Sequence, residues 1–232
     1  MEFKRPDPKT VKGFKPLSTP TISDALDKLG IPGGCHGIMP VVSGVKMTGT
    51  AYTVRYIPTG TVKGTVGDYI DDVLPGDVVV LDNNGRTDCT VWGDILTVTA
   101  KMKGIAGTVI DGVCRDIPTI LEEKYPIFSC GRFMMTGKDR VMVEATQVMV
   151  SIGKAQVKPG DILVGDDSGV VVIPQEMAGK VLEAAKSIEK AENIIVDSVK
   201  NGLSLKEARE KFGYHTLQAV TTQVDRLKTK DC

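Results

Sequence analysis

The stretch WGDILTVTAKMKGIAGTVIDGVCRD, Trp92 to Asp116, decides the fold. Gly93-Asp94 opens an amphipathic run that reaches Gly104, Ile105 to Ile110 is apolar, and Asp111-Gly112-Val113-Cys114-Arg115-Asp116 follows. The order reads as loop, helix, buried strand and second loop, a unit that returns the chain to the same end of a sheet. Asp94 and the pair Arg115-Asp116 are thereby predicted to share one crevice at the strand ends, where open α/β sheets hold their ligands. An acid, a guanidinium and a second acid meeting there suit metal-assisted chemistry on a small anion. Backbone amides of Gly93, Asp94, Ile95 and Leu96 at the helix start can grip a carboxylate. Each side chain also has a plainer use. Asp94 fits a helix start as a cap or through the macrodipole, Arg115 fits a surface ion pair, and Asp116 fits a cap for a helix near Ile117-Pro118.

Outward from this unit the chain reads as one α/β domain with helical extensions. Residues 1–17 are predicted to be an arm or irregular lead-in, residues 18–174 the core, and residues 175–232 a helical extension of the same domain. Thr19 is the expected cap of a helix with Pro20 at its first position, a buried face of Ile22, Ala25, Leu26 and Leu29, and a stop at Gly30. Val45 to Tyr56 reads as β structure with a turn or bulge at Thr48-Gly49. A quasi-repeat follows, Pro75-Gly76-Asp77 with Val78 to Leu81 and Pro159-Gly160-Asp161 with Ile162 to Val164. Each copy is a Pro-Gly turn, a buried strand and a polar turn closed by Gly85 or Gly169. Asp166-Asp167-Ser168-Gly169 lacks the ligand pattern of a calcium loop and reads as a hairpin turn into Val170 to Ile173. A long helix spans about residues 175–200, with apolar positions from Met177 to Ile195 and Val199, closed by Asn201-Gly202. Ser204 and Glu207 form a capping-box signature for a last helix.

Composition excludes several classes of function. The 232 residues carry 29 basic and 29 acidic side chains, so no overall field favours nucleic acid or an anionic membrane. The five cysteines are scattered, with no CxxC pair, which fits a reducing compartment and argues against a disulfide framework or structural zinc. No run approaches the roughly 20 apolar residues of a membrane span. A soluble, cytoplasmic protein is expected. His36 and His215 pair with no nucleophile, Gly33 to Gly37 is not a phosphate loop, and no GxGxxG follows a strand. Glu189, Glu192 and Asp197 alternate with Lys186, Lys190 and Lys200 as on an ordinary solvated helix face.

With Gly93-Asp94-Ile95-Leu96, Gly104 to Gly112 and Arg115-Asp116 in view, the chain resembles the RraA-like family and, within it, the class II pyruvate aldolases. Ser23-Asp24-Ala25-Leu26, Pro75-Gly76-Asp77 and Val164 to Val170 extend the likeness over roughly Ser18 to Gly213. The resemblance implies a swivelling β/β/α domain like the phosphohistidine domains, assembled as homotrimers or homohexamers with sites between subunits. It implies that Asp116 binds Mg²⁺ or Mn²⁺ directly, that Asp94 holds metal-bound water, and that Arg115 contacts a small 2-oxo acid. Glu192 takes the place of an acid that a neighbouring subunit contributes through water. The implied reaction cleaves a 4-hydroxy-2-oxo acid to pyruvate through a metal-stabilised enolate, with oxaloacetate decarboxylation as a secondary activity. Other members of the family regulate a ribonuclease without catalysis. Those generally lack the acid at the position of Asp94, so its presence here favours an enzyme.

Overall fold

The structure, a computed structural model, describes residues 5–212. In chain order its elements are α1 (Pro8–Phe14), α2 (Thr19–Lys28), β1 (Met39–Pro40), β2 (Met47–Pro58), β3 (Asp77–Thr90), α3 (Asp94–Met102), β4 (Gly107–Cys114) and α4 (Ile117–Glu123). There follow β5 (Ile127–Arg132), β6 (Val141–Thr146), β7 (Val150–Ile152), β8 (Ala155–Val157), β9 (Ile162–Asp166), β10 (Gly169–Ile173), α5 (Ala178–Lys200) and α6 (Leu205–Lys211). The main sheet runs β1-β5-β4-β3-β2-β9-β10, and β6 also pairs with β2. Its centre, β2-β3-β4-β5, is parallel, and the flanking pairs are antiparallel.

Alternation along the central strands builds two cores. Val79 and Leu81 of β3 and Ile110 of β4 face α3 and α4, where Trp92, Ala100, Ile120 and Tyr125 close the layer. Val78, Val80 and Val109 point to the opposite face and pack with Val150, Ile152 and Val157 of the small β7-β8 hairpin. The sheet is therefore buried on both faces, which is why its strands read as unbroken apolar runs. A third core joins α1, α2 and α5 to β9 and β10 through Phe14, Ile22, Leu26, Val181 and Ile188. The expected β/β/α arrangement with a long C-terminal helix is the one the chain adopts.

Several local expectations are corrected. Residues 8–14 are not irregular: Asp7 caps α1, and Phe14 and Leu17 are fully buried. The cap of α2 is Ser18, whose Oγ accepts from the Thr21 amide, while Thr19 donates to Asp166 from both its amide and its hydroxyl. β2 passes Thr48-Gly49 without a turn. Glycine stands there because a Cβ at position 49 would lie 2.3 Å from the Gly76 carbonyl oxygen. The irregularity of β2 is instead a register shift between Arg55 and Tyr56. β3 does not end at Asp82. Asn84 and Gly85 adopt positive φ (53° and 64°) and form a bulge, after which the strand resumes to Thr90. Val199 is exposed, so the buried stripe of α5 ends at Ile195.

The Pro-Gly-Asp repeat has one physical meaning in both copies. Asp77 accepts from the Leu74 amide and Asp161 from the Lys158 amide, three residues back in each case, and both side chains are almost fully buried. Burial holds both carboxyls above the ordinary range, and hydrogen bonds oppose that rise, with the Arg5 charge opposing it further at Asp77. Asp161 also accepts from the Gln175 amide and so fixes the entry to α5. Asp161→Ala leaves two part-buried amides without their acceptor and is expected to cost about 1–3 kcal/mol of stability. Urea unfolding measures it, and a loss below about 1 kcal/mol would mean that water replaces the carboxylate.

Candidate active site

α3 carries the chain from the end of β3 back to β4, which lies parallel to it, so Gly93-Asp94 and Arg115-Asp116 meet at one end of the sheet. Strand β4 runs on to Cys114, further than the sequence indicates, and only Arg115 and Asp116 lie in the following loop. The Arg115 amide donates to the Trp92 carbonyl at 3.1 Å, tying the two loops together. Behind them, Trp92 is buried, donates from its indole to Thr97 Oγ1 at 2.9 Å, and stacks on Tyr125 with centroids 6.1 Å apart. Thr97 donates in turn to the Gly93 carbonyl. Trp92 and Thr97 are supports that the sequence reading missed, because a lone Trp before a glycine carries no spacing signal.

Asp116 is the convergence point. Its Oδ2 accepts from the Asp94 amide at 3.1 Å and lies 3.3 Å from Arg115 Nε, while no described residue bonds its Oδ1. The residue caps α4 by position but its side chain makes no capping bond, and its backbone is left-handed at φ 60° and ψ 43°. Asp tolerates that conformation better than most residues, yet it costs about 1–3 kcal/mol and concentrates at functional sites. Gly93 is dictated by this packing. A Cβ there would sit 2.5 Å from Asp116 Oδ2 and 3.2 Å from Arg115 Nε.

Asp94 is the first residue of α3 and exposed, and its Oδ1 accepts from the Ile95 amide at 2.8 Å. Of the four amides expected to hold a carboxylate, those of Asp94 and Ile95 are therefore committed to side chains of the site itself. The amides of Gly93 and Leu96 have no partner among the described residues. Arg115 engages Asp116 through Nε, and its terminal nitrogens have no described partner. It stands between two clefts of about 370 Å³ each. One is lined by Trp92 to Leu96 with Asp68 and Asp71, the other by Asp116, Ile117, Arg132, Phe133 and Met134.

Glu192 is not in this cluster within one chain. It lies half-buried on α5, where burial raises its carboxyl and the charges of Asp24 and Glu189 raise it further. His36 belongs to the loop before β1, its amide bonded to the Gly153 carbonyl, and His215 lies outside the described residues. No group of three His, Cys, Asp or Glu side chains among the described residues forms a ready metal cage. None of their helices is long and apolar enough to cross a membrane.

A family profile described as Aldolase/RraA matches residues 19–172. Protein DlpA of Legionella pneumophila is 43% identical over 196 residues, 83% of this chain, which spans only 32% of the length of DlpA. A protein of Halalkalibacterium halodurans, provisionally named 4-hydroxy-4-methyl-2-oxoglutarate aldolase, is 35% identical over 192 residues, 80% of this chain and 88% of that protein. The crystal structure of RraAS2 from Streptomyces coelicolor, described as an unusual member of the RNase ES inhibitor RraA protein family, is similar with a TM-score of 0.75. It is 32% identical, with coverage of 83% of this chain and 98% of that one.

Proposed function

The chain belongs to the Aldolase/RraA family, and from that premise we propose that it is a divalent-metal-dependent lyase that cleaves a 4-hydroxy-2-oxo acid to pyruvate. The observation that carries the proposal is the convergence of the Asp94 amide and Arg115 Nε on one oxygen of Asp116, with the other oxygen open at the rim of a cleft. A single partly exposed carboxylate, with no cage of His, Cys, Asp or Glu among the described residues, fits Mg²⁺ or Mn²⁺, which keep most of their waters and bind through one or two carboxylates and the substrate. Asp116 would hold the ion directly and Asp94 through water. When bound, the ion supplies Lewis-acid stabilisation to the oxygens of the 2-oxo acid.

The chain's own groups do the rest. The free amides of Gly93 and Leu96 and the terminal nitrogens of Arg115 hold the substrate carboxylate and its 2-oxo oxygen. Asp94 receives the C4 hydroxyl proton at Oδ2 through a bound water, since its Oδ1 is occupied by the Ile95 amide. The C3–C4 bond breaks, its electrons pass to the pyruvate enolate, and C4 leaves as a carbonyl. Arg115 stabilises the charge on the enolate oxygen. Decarboxylation of oxaloacetate yields the same enolate and is proposed as a secondary activity. We place Glu192 of a neighbouring copy at the site's open side, in a homotrimer or homohexamer. The exposed apolar positions Ile95, Val98 and Met102 along α3 supply a surface for such contact.

The direct experiment is pyruvate release from a panel of 4-hydroxy-2-oxo acids with Mg²⁺ and after chelation. Release that stops with chelator and returns with Mg²⁺ or Mn²⁺ is the expected result. No release from any member would favour the second reading, a non-catalytic regulator of ribonuclease activity that uses the apolar stripe of α3 to bind protein.

A further inference from the structure

The backbone at Gly93 is held by its surroundings and not by a side chain of its own. A Cβ there would lie 2.5 Å from Asp116 Oδ2, so a side chain is excluded while Asp116 keeps its place, and glycine restricts its own backbone least of all residues. The Gly93 carbonyl and the Asp94 amide are two ends of one planar peptide unit. The amide end donates to Asp116 Oδ2 at 3.1 Å. A rotation of that unit therefore moves the donor that holds Asp116.

The carbonyl end is gripped by one residue. It accepts from the Thr97 amide at 3.1 Å and from Thr97 Oγ1 at 2.8 Å. The first is the opening backbone bond of α3, and the second is additional to it. Its direction is fixed. The Trp92 indole can only donate, and it does so to Thr97 Oγ1 at 2.9 Å, which leaves the hydroxyl proton for the Gly93 carbonyl. Thr97 and Trp92 are 0% and 2% exposed, so water does not compete for either bond. Trp92 is steadied by its stack on Tyr125, whose hydroxyl meets Thr108 Oγ1 of β4 at 3.1 Å in the core. A bond back to the preceding turn is a common habit of helical threonine. Here the carbonyl it takes shares a plane with the amide on Asp116.

We propose that Thr97 is a positioning residue whose hydroxyl locks the Gly93-Asp94 peptide and so fixes the orientation of Asp116. It contacts no reacting atom and acts through Asp116. The kinetic consequence rests on the lyase reading, whereas the effect on the peptide does not.

The test compares Thr97→Val, which keeps the shape and loses the hydroxyl, with Thr97→Ser, which keeps the hydroxyl. Its first readout is exchange of the Asp94 amide proton with water, followed by NMR. In Thr97→Val that rate is expected to rise about fivefold to tenfold, as for the loss of one hydrogen bond. The Ile105 amide, bonded to the Ala100 carbonyl beyond the other end of α3, should keep its rate. Thr97→Ser should return the Asp94 rate to within about twofold of the intact value. The second readout is kcat/KM for pyruvate release in saturating Mg²⁺, expected to fall about tenfold in Thr97→Val and to recover in Thr97→Ser. If the stranded indole prevents Thr97→Val from folding, Trp92→Phe combined with it removes both partners and carries the same expectation. An Asp94 amide that keeps its intact rate, an equal rise at Ile105, or a kcat/KM unmoved by loss of the hydroxyl each overturns the proposal. Failure of the lyase reading is separately visible: no turnover by the intact protein removes the reaction and leaves the Asp94 exchange rate to decide the role of Thr97.

Discussion

Asp116→Asn is expected to lower kcat/KM for pyruvate release by about 10³-fold, close to the full effect of chelation. The substitution isolates charge from shape. Asn tolerates the left-handed backbone of position 116 and can still accept from the Asp94 amide, whereas Ala would lose the acceptor and add strain. The melting temperature should therefore move by no more than about 2 °C. A large loss of stability with a modest kinetic effect would make Asp116 a structural tie between α3 and α4 instead.

The elements that position this residue were legible from the pattern of apolar residues. The unit from Trp92 to Asp116 declares its helix and strand by period and length, and its ends by glycine and charge. The capping box of Ser204 and Glu207 was legible for the same reason, since both halves are local. What the sequence hid were contacts between distant segments. Gly49 reads as a turn because glycine signals turns, yet it stands there to admit the Gly76 carbonyl. Asn84-Gly85 reads as the end of a strand, and only the partner β4 shows that the ladder resumes beyond a bulge. The amides near Gly93 read as four free donors, but Asp116 and Asp94 themselves take two of them. Phe14 and Leu17 escaped notice because a short, proline-led segment displays too few periods to reveal a buried face.

Arg115→Lys is expected to lower kcat/KM by about 10²-fold, equivalent to about 2.7 kcal/mol of transition-state stabilisation. Lysine keeps the charge but cannot contact Asp116 through one nitrogen while presenting two more to the substrate. The Arg115 to Asp116 pair is about one-third exposed on each side, so its loss should cost the fold little. Steady-state kinetics and thermal melting on the same preparation separate the roles. A kinetic loss under about threefold with a fall of several degrees in melting temperature would favour an ion pair that only stabilises the fold.

In the proposed reaction this cluster forms and stabilises the enolate of pyruvate. That step is tested without knowledge of the natural substrate by incubating the protein with pyruvate in D₂O and following the methyl proton signal by NMR. Loss of that signal with Mg²⁺, abolished by chelator and by Asp116→Asn, is the predicted result. A methyl signal that persists at the uncatalysed rate in the presence of metal, or one lost equally in excess chelator, would contradict it.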